Sequence, residues 1–130
     1  MTGEDRPKVK RGQIYYVSND KGRIGSEIRK TRPAVIVSKD FLNKHSGDLI
    51  VVFLTTRPKK EMETHVTIRN IKRESVALCE QVTTVSINRI QRYIGKVTES
   101  EMQQIEKALL CALDIKEGGR KKCFQSGYKK

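Results

Sequence analysis

The sequence predicts a single, mostly β domain in which short strands form a small antiparallel barrel or a strongly curled sheet, followed by one α-helix. Two observations lead to this prediction. Several short apolar or alternating segments follow one another closely along the chain, separated by polar loops. One longer segment with helical periodicity comes after them. The 130 residues fit one domain that buries a modest core without disulfides or metal.

The first third of the chain alternates apolar strands with polar connections. Residues 13–18, QIYYVS, are rich in the aromatic and β-branched side chains that favour a strand. Residues 19–32 have no apolar period and many Lys and Arg residues, which predicts a long mobile loop, and loops of this length are usually functional or disordered. A second strand is predicted from Pro33, in the run PAVIVS. Residues 39–47 are expected to form a turn or a short helical connection.

The strongest strand signal is the continuous apolar run LIVVFLTT, residues 49–56. Such a run predicts a central strand that is buried on both faces. A basic loop, RPKKEM, follows it. Shorter strands are then predicted at residues 64–68 and 93–97, and residues 75–79 and 82–86 between them predict one or two more.

The helix is predicted at residues 99–116 because its start carries a specific signal. Thr98 and Glu101, in the sequence TESE, have the spacing of a capping box. Gly118 and Gly119 are the predicted stop. The apolar stripe that should pack on the sheet consists of Met102, Ile105, Ala108, Leu109, Ala112 and Leu113.

The predicted organisation is a loose N-terminal arm at residues 1–10, the domain at residues 11–117 and a basic tail at residues 118–130. The N-terminus lacks the apolar segment of a signal peptide, and the longest apolar run is too short to span a bilayer. The three cysteines are odd in number and widely spaced, which suits a reducing compartment. Cys79 and Cys111 lie in apolar runs and are predicted core residues. We therefore expect a cytoplasmic protein.

The charge balance indicates a polyanionic partner. Lys and Arg total 27 against 15 Asp and Glu, a formal net charge of +12. Such an excess favours nucleic acid, because binding neutralises phosphates and releases counterions. An anionic membrane is less favoured, since no long basic amphipathic helix with aromatic anchors is present. A basic surface that only aids solubility is the remaining alternative.

The sequence contains none of the common catalytic motifs. It has no P-loop, GxSxG, HExxH or dinucleotide-binding pattern, and no CxxC pair, so neither a metal nor a cofactor is expected. His45 and His65, in a polar turn and a short strand, are weak acid–base candidates. RNA, however, supplies its own nucleophile, because the ribose 2′-hydroxyl lies beside the 3′-phosphate. An enzyme then has to align the groups, stabilise negative charge and move protons.

Four residues suit these tasks. Arg32 can bind phosphate as a fork, and the proline after it restricts its backbone to extended conformations. Thr55 and Thr56 end the central strand and would place a hydroxyl at the surface. Glu27 lies in the same loop as Arg32 and could accept a proton.

Five segments together resemble the MazF/PemK (Kid-type) toxin family: KRGQIYYV, GSEIRKTRPAVIVS, LIVVFLTT, THVTI and LCEQV. Each motif alone is weak, but their order and spacing agree over about residues 9–115. The resemblance implies an SH3-like barrel of the MazF/CcdB type. It also implies a homodimeric toxin that cleaves single-stranded RNA without metal and is paired with an acidic antitoxin.

The resemblance also assigns site residues. It implies that Arg32, Thr55 and Glu27 are catalytic. Glu80 and Gln81 either line the RNA groove or satisfy buried backbone groups. The expected RNA-binding residues are Ser26, Arg29, Lys30, Thr56, Arg57, Glu80 and Gln81.

Two other functions remain open at this level. An SH3-like module could bind nucleic acid without cutting it, but binding alone does not require Arg32 together with Thr55. A toxin of the same fold could poison a topoisomerase, as the CcdB type does. That mode depends on the end of the C-terminal helix, which here is followed by a basic tail without tryptophan.

Overall fold

The computed structural model describes residues 8–18 and 31–116, which form seven strands and two α-helices. Two 3-10 turns, Cys79–Gln81 and Ile87–Arg89, flank the sixth strand. In chain order the elements are β1 (Gln13–Ser18), β2 (Thr31–Ile36), α1 (Asp40–His45), β3 (Asp48–Thr55), β4 (His65–Ile68), β5 (Ser75–Leu78), β6 (Thr83–Ser86), β7 (Ile90–Lys96) and α2 (Glu99–Leu113).

The strands form one antiparallel sheet in the order β4-β5-β3-β2-β1-β7, and β6 also pairs with β3. β5 and β6 share the edge of β3 that faces away from β2, and the turn Cys79–Gln81 lies between them. In the described part of the chain the end strands β4 and β7 do not pair, so the sheet stays open. Near the end of β4, however, Asn70 Nδ2 donates to the Lys96 carbonyl at 2.9 Å. The predicted curled, mostly β fold is confirmed.

β3 is central because apolar side chains cover both of its faces. Val52 and Leu54 belong to one buried cluster, which also contains Ile105 and Ala108 of α2. Val51 belongs to a second cluster on the opposite face, with residues of β1, β2 and β6. Alternation along a strand sends neighbouring residues to opposite faces, so an uninterrupted apolar run fills two cores. The sequence prediction of a doubly buried strand is therefore confirmed.

The start of α2 agrees with the prediction, because both bonds of the capping box are present. Thr98 Oγ1 accepts from the Glu101 N–H at 3.0 Å, and Glu101 Oε1 accepts from the Thr98 N–H at 2.8 Å. The other carboxylate oxygen of Glu101 accepts from the Arg69 N–H at 2.7 Å. Glu101 therefore joins the helix to the end of β4.

The predicted end of α2 is wrong. The helix stops at Leu113, because Asp114 adopts the left-handed conformation with φ 57° and its N–H bonds to the carbonyls of Leu110 and Cys111. Asp tolerates this conformation better than most side chains, so it replaces glycine as the cap. Gly118 and Gly119 lie outside the described residues.

Two predicted core residues of α2 are also less buried than expected. Leu113 is 56% exposed, and Cys111 is only partly buried, whereas Cys79 is fully buried as predicted. No helix within residues 8–18 and 31–116 is long and apolar enough to cross a membrane.

β7 begins earlier than the sequence predicts, at Ile90 rather than residue 93. Of the missed residues, Gln91 and Arg92 are polar and exposed, so Ile90 alone gives no continuous apolar signal. Their pairing comes from β1, where Val17 lies opposite Ile90 and Tyr15 opposite Tyr93 across an irregular register. Pairing with the neighbouring strand, and not the composition of the segment itself, therefore forms this part of β7.

The segment before β1 packs on the domain. Val9, inside the predicted arm at residues 1–10, is buried in the second cluster. Arg11 then connects three elements. Its N–H donates to Asp40 of α1 at 2.7 Å, its Nε donates to the Val37 carbonyl at 3.0 Å, and its guanidinium pairs with Glu106 of α2 at 3.0 Å. Residues 1–7 and 117–130 lie outside the described residues.

Replacing Glu101 with Ala should lower the free energy of unfolding by about 2 kcal/mol, because two backbone N–H groups lose a charged acceptor. Urea denaturation would measure the change. Glu99→Ala, at an exposed position in the same helical turn, is the control and should stay within about 0.5 kcal/mol of the wild type. Equal effects of the two variants would show that Glu101 does not hold α2 to β4.

Candidate RNA-cleavage site

The pairing of β2 with β3 brings Arg32 and Thr55 to the same face of the sheet. The last backbone pair of these strands is Ala34 with Phe53. Arg32 lies two residues before Ala34, and Thr55 lies two residues after Phe53, so alternation along each strand sends both side chains to the face of this pair. The sheet therefore places a guanidinium and a hydroxyl on one face, near the end at which the two strands stop pairing.

The Arg32 guanidinium lies over the ring of Phe53, with the guanidinium carbon 4.9 Å from the ring centroid. Both residues are partly buried. Among the described residues, no carboxylate forms an ion pair with Arg32. Its charge and its in-plane N–H groups are thus available to an oxyanion on the part of the surface that the structure describes.

Thr55 is the last residue of β3, and a local hydrogen bond sets its side chain. Its Oγ1 accepts from the Arg57 N–H at 3.1 Å, as in the turns that Ser and Thr commonly form at strand ends. The hydroxyl acts here as an acceptor, so its own proton can still be donated to a phosphate oxygen. Thr56, Arg57, Lys59 and Lys60 are all exposed and form a basic rim beside Thr55.

A row of residues extends from this pair across the same face of the sheet. Val17 of β1 lies opposite Arg32, and Val76 of β5 lies opposite Thr55. Thr67 of β4 follows opposite Val76. Val76 and Thr67 are partly buried. Strands are about 4.8 Å apart, so the row offers a surface about 10 Å long between Thr55 and the edge strand.

Glu80 is held by two side chains of the chain itself. One carboxylate oxygen accepts from Thr64 Oγ1 at 2.7 Å, and the other lies 3.1 Å from His65 Nε2. Burial raises the pKa of Glu80, but the hydrogen bonds from Thr64, its own backbone and His65, with the charge of His65, lower this pKa overall. Both oxygens already have a partner within the chain, but these partners are side chains and not the buried backbone groups that the sequence analysis considered. Gln81 is exposed, and RNA binding by either residue stays a prediction.

Glu27, Ser26, Arg29 and Lys30 lie outside the described residues, so their predicted roles stay predictions. Sequence reasoning missed Phe53, which it treated only as part of an apolar strand. The available signal was its place two residues before Thr55, since that spacing puts both side chains on one face. In the described ranges, no group of three or more His, Cys, Asp or Glu residues could hold a metal ion.

The chain matches a known toxin family. The family model of the PemK-like, MazF-like toxins of type II toxin-antitoxin systems matches residues 10–113. The chain belongs to this family. The match covers β1 to α2 and therefore includes both Arg32 and Thr55. The family predicted from the sequence motifs is confirmed.

Solved structures show the same fold. A mycobacterial endoribonuclease in complex with its cognate antitoxin is 27% identical, with a TM-score of 0.69 over 83% of this chain and 97% of that chain. A second mycobacterial endoribonuclease is 26% identical, with a TM-score of 0.70 over 85% of this chain and 95% of that chain. A chain of the MazE–MazF structure from Deinococcus radiodurans is 17% identical, with a TM-score of 0.73 over 85% of this chain and 99% of that chain. At this identity the likeness supports the fold alone.

The bonds to Glu80 predict a pH-dependent contribution to stability. The folded-state pKa is below the ordinary value of 4.5, so the contribution is complete above that value and is lost as the pH falls through the folded-state pKa. Glu80→Gln should therefore lower the free energy of unfolding at pH 7, by less than about 1 kcal/mol because the group is exposed. The difference should shrink on acidification below about pH 4.5.

Urea denaturation at several pH values would measure this difference. Glu61→Gln, at an exposed position in the loop before β4, is the control for the change in net charge. A stability difference for Glu80→Gln that grows as the pH falls would contradict the assignment.

Proposed function

We propose that this member of the toxin family is an endoribonuclease that cleaves single-stranded RNA without a metal ion. The observation that carries the proposal is the pairing of β2 with β3, whose last pair, Ala34 with Phe53, leaves Arg32 and Thr55 on one face at the end of a doubly buried strand. Two structures that are 27% and 26% identical to this chain are endoribonucleases, which supports the same activity here.

The reaction begins with attack of the ribose 2′-oxygen on the adjacent phosphorus. The bond from phosphorus to the 5′-oxygen breaks, the 2′-hydroxyl loses a proton to Glu27, the proposed acceptor, and the leaving oxygen gains one from water. Arg32 donates hydrogen bonds to the non-bridging oxygens, where negative charge increases in the transition state. Thr55 donates a hydrogen bond from its hydroxyl to a phosphate oxygen and helps to align the reacting groups.

Substrate binding relies on many weaker contacts. Arg57, Lys59 and Lys60 are exposed beside Thr55, and the whole chain carries a formal net charge of +12. Such charges attract the phosphates of any RNA and contribute mainly to ground-state affinity. Ser26, Arg29, Lys30 and Thr56 extend the proposed contact surface. The position of Arg32 on the same face of the sheet as the Thr55 hydroxyl supports catalysis over binding alone.

The proposal includes the partners and the compartment. One of the two mycobacterial endoribonucleases was solved with its cognate antitoxin, and we extend that relation to an acidic antitoxin for this basic chain.

We also propose a homodimer in the cytoplasm. Analytical ultracentrifugation at micromolar concentration should give about twice 14.9 kDa. A monomer under those conditions would contradict the dimer.

Purified protein should cleave single-stranded RNA in the presence of EDTA. The products should carry a 5′-hydroxyl and a 2′,3′-cyclic phosphate or 3′-phosphate, because the nucleophile belongs to the substrate. Mass spectrometry of a short RNA would identify the ends. Tight binding without cleavage would support a non-catalytic module instead. Strict dependence on magnesium, or products with a 5′-phosphate, would contradict the proposed mechanism.

Arg32→Ala should reduce the single-turnover cleavage rate by about 10²–10³, the usual effect of removing a preorganised donor to the transition state. Binding should change little, because losing one single-strand phosphate contact lowers the salt slope by only about 0.7. Arg32→Lys should not restore the rate, since an ammonium lacks the planar fork. Thr55→Val keeps the branched shape and removes the hydroxyl, so it should also slow cleavage.

Affinity should be measured on an uncleavable 2′-deoxy analogue beside the single-turnover rate. Lys59→Ala, on the exposed basic rim, is the control and should affect affinity more than rate. If Arg32→Ala cleaved within a factor of about three of the wild type, the catalytic assignment would be wrong.

A further inference from the structure

We propose that Phe53 is a positioning residue for the reaction, because its ring holds the Arg32 guanidinium in the orientation that receives the phosphate. The proposal rests on the catalytic role proposed for Arg32. It adds a residue that acts on the reaction through the arginine.

The geometry favours a direct interaction between the two side chains. The guanidinium carbon of Arg32 is 4.9 Å from the ring centroid of Phe53, within the range of about 6 Å for cation–π attraction. Ala34 is the backbone partner of Phe53, and Arg32 lies two residues before it on the same face of the sheet. The contact is therefore a diagonal one between neighbouring strands, a distance that long and aromatic side chains span.

An aromatic partner holds an arginine without using the groups needed for catalysis. A carboxylate would neutralise the guanidinium and accept from its in-plane N–H groups. A ring contacts the flat face of the guanidinium instead, so the charge and the fork of donors stay available. In the part of the chain that the structure describes, Phe53 is the aromatic contact of Arg32, and no carboxylate is paired with it.

β3 carries both the Thr55 hydroxyl and the ring that contacts Arg32. Phe53 and Thr55 are two residues apart on this strand and project from one face. Phe53 packs against the second buried cluster, which includes Val51 on that face. The ring is thus anchored by the core on one side and contacts Arg32 on the other. Movement of the guanidinium relative to the Thr55 hydroxyl is restricted, which is preorganisation in a structural sense.

A second arginine–aromatic pair provides a matched control. The guanidinium carbon of Arg92 lies 5.5 Å from the ring centroid of Tyr16. Tyr16 pairs with Pro33, next to Arg32 along β2, so it projects from the face opposite to Arg32. Tyr16→Leu therefore removes the same type of contact from the same sheet without touching the proposed site.

The test compares Phe53→Leu, Phe53→Tyr and Tyr16→Leu by single-turnover cleavage of a short RNA. Phe53→Leu keeps apolar bulk and removes the ring, so cleavage should slow by about 10-fold, which corresponds to about 1.4 kcal/mol. Affinity for the 2′-deoxy analogue should stay within about threefold. Phe53→Tyr retains the ring and should recover most of the rate. Tyr16→Leu should cleave within about threefold of the wild type.

A double-mutant cycle decides whether Phe53 acts through Arg32. Once Arg32 is replaced by Ala, adding Phe53→Leu should change the single-turnover rate by less than about threefold. A further 10-fold loss in that background would overturn the proposal, because Phe53 would then act independently. If the rate of Arg32→Ala is too low to measure, the contrast between Phe53→Leu and Phe53→Tyr decides instead.

Thermal unfolding of every variant separates positioning from folding. If Phe53→Leu does not fold, Phe53→Met supplies a second aliphatic replacement of similar volume. Equal rates for the aliphatic variants and the wild type would overturn the role of the ring while leaving Arg32 catalytic. A wild-type protein that binds but never cleaves RNA would instead overturn the proposed function, so the two failures are distinguishable.

Discussion

The position of β3 between two buried clusters is the constraint on which the rest of the molecule depends. Val52 and Leu54 face α2, whereas Val51 faces the second cluster, and all three are almost fully buried. A slip of one residue in the register would exchange the two faces and expose both sets of side chains. The cost of that exchange fixes the position of every residue on β3. The same register fixes the positions of Phe53 and Thr55, although Thr55 itself lies at the edge of the core.

Fixed register also explains how a small domain places an arginine accurately. Arg32 is the second residue of β2, one position after the boundary with residues that the structure does not describe. An arginine side chain at such a position has several rotatable bonds, and its ordering costs conformational entropy. Pairing with Val17 of β1 fixes the backbone at Arg32, and the Phe53 ring of β3 contacts the far end of the side chain. Backbone and guanidinium are thus held by two different strands.

Four acidic side chains of the described region are used inside the fold. Each of several carboxylates accepts from a specific donor that joins two elements, so its charge is partly compensated. Because these negative charges are partly compensated, the exposed Lys and Arg residues make the electrostatic potential at the surface positive. A positive surface favours a phosphate-bearing partner. The carboxylates concerned are Asp40 with the Arg11 N–H, Glu80 with Thr64 and His65, Glu101 with the Thr98 and Arg69 N–H groups, and Glu106 with the Arg11 guanidinium.

The sequence by itself determined the features whose causes are local. The capping box at Thr98, the strand Gln13–Ser18 and the doubly buried β3 follow from neighbouring side chains, and motif order was enough to identify the family. Tertiary structure decided the rest. It brought polar residues into β7 through pairing with β1, and it placed the Arg32 guanidinium on Phe53. Residues 21 positions apart meet only because β2 and β3 pair, and a long-range register cannot be read from local periodicity.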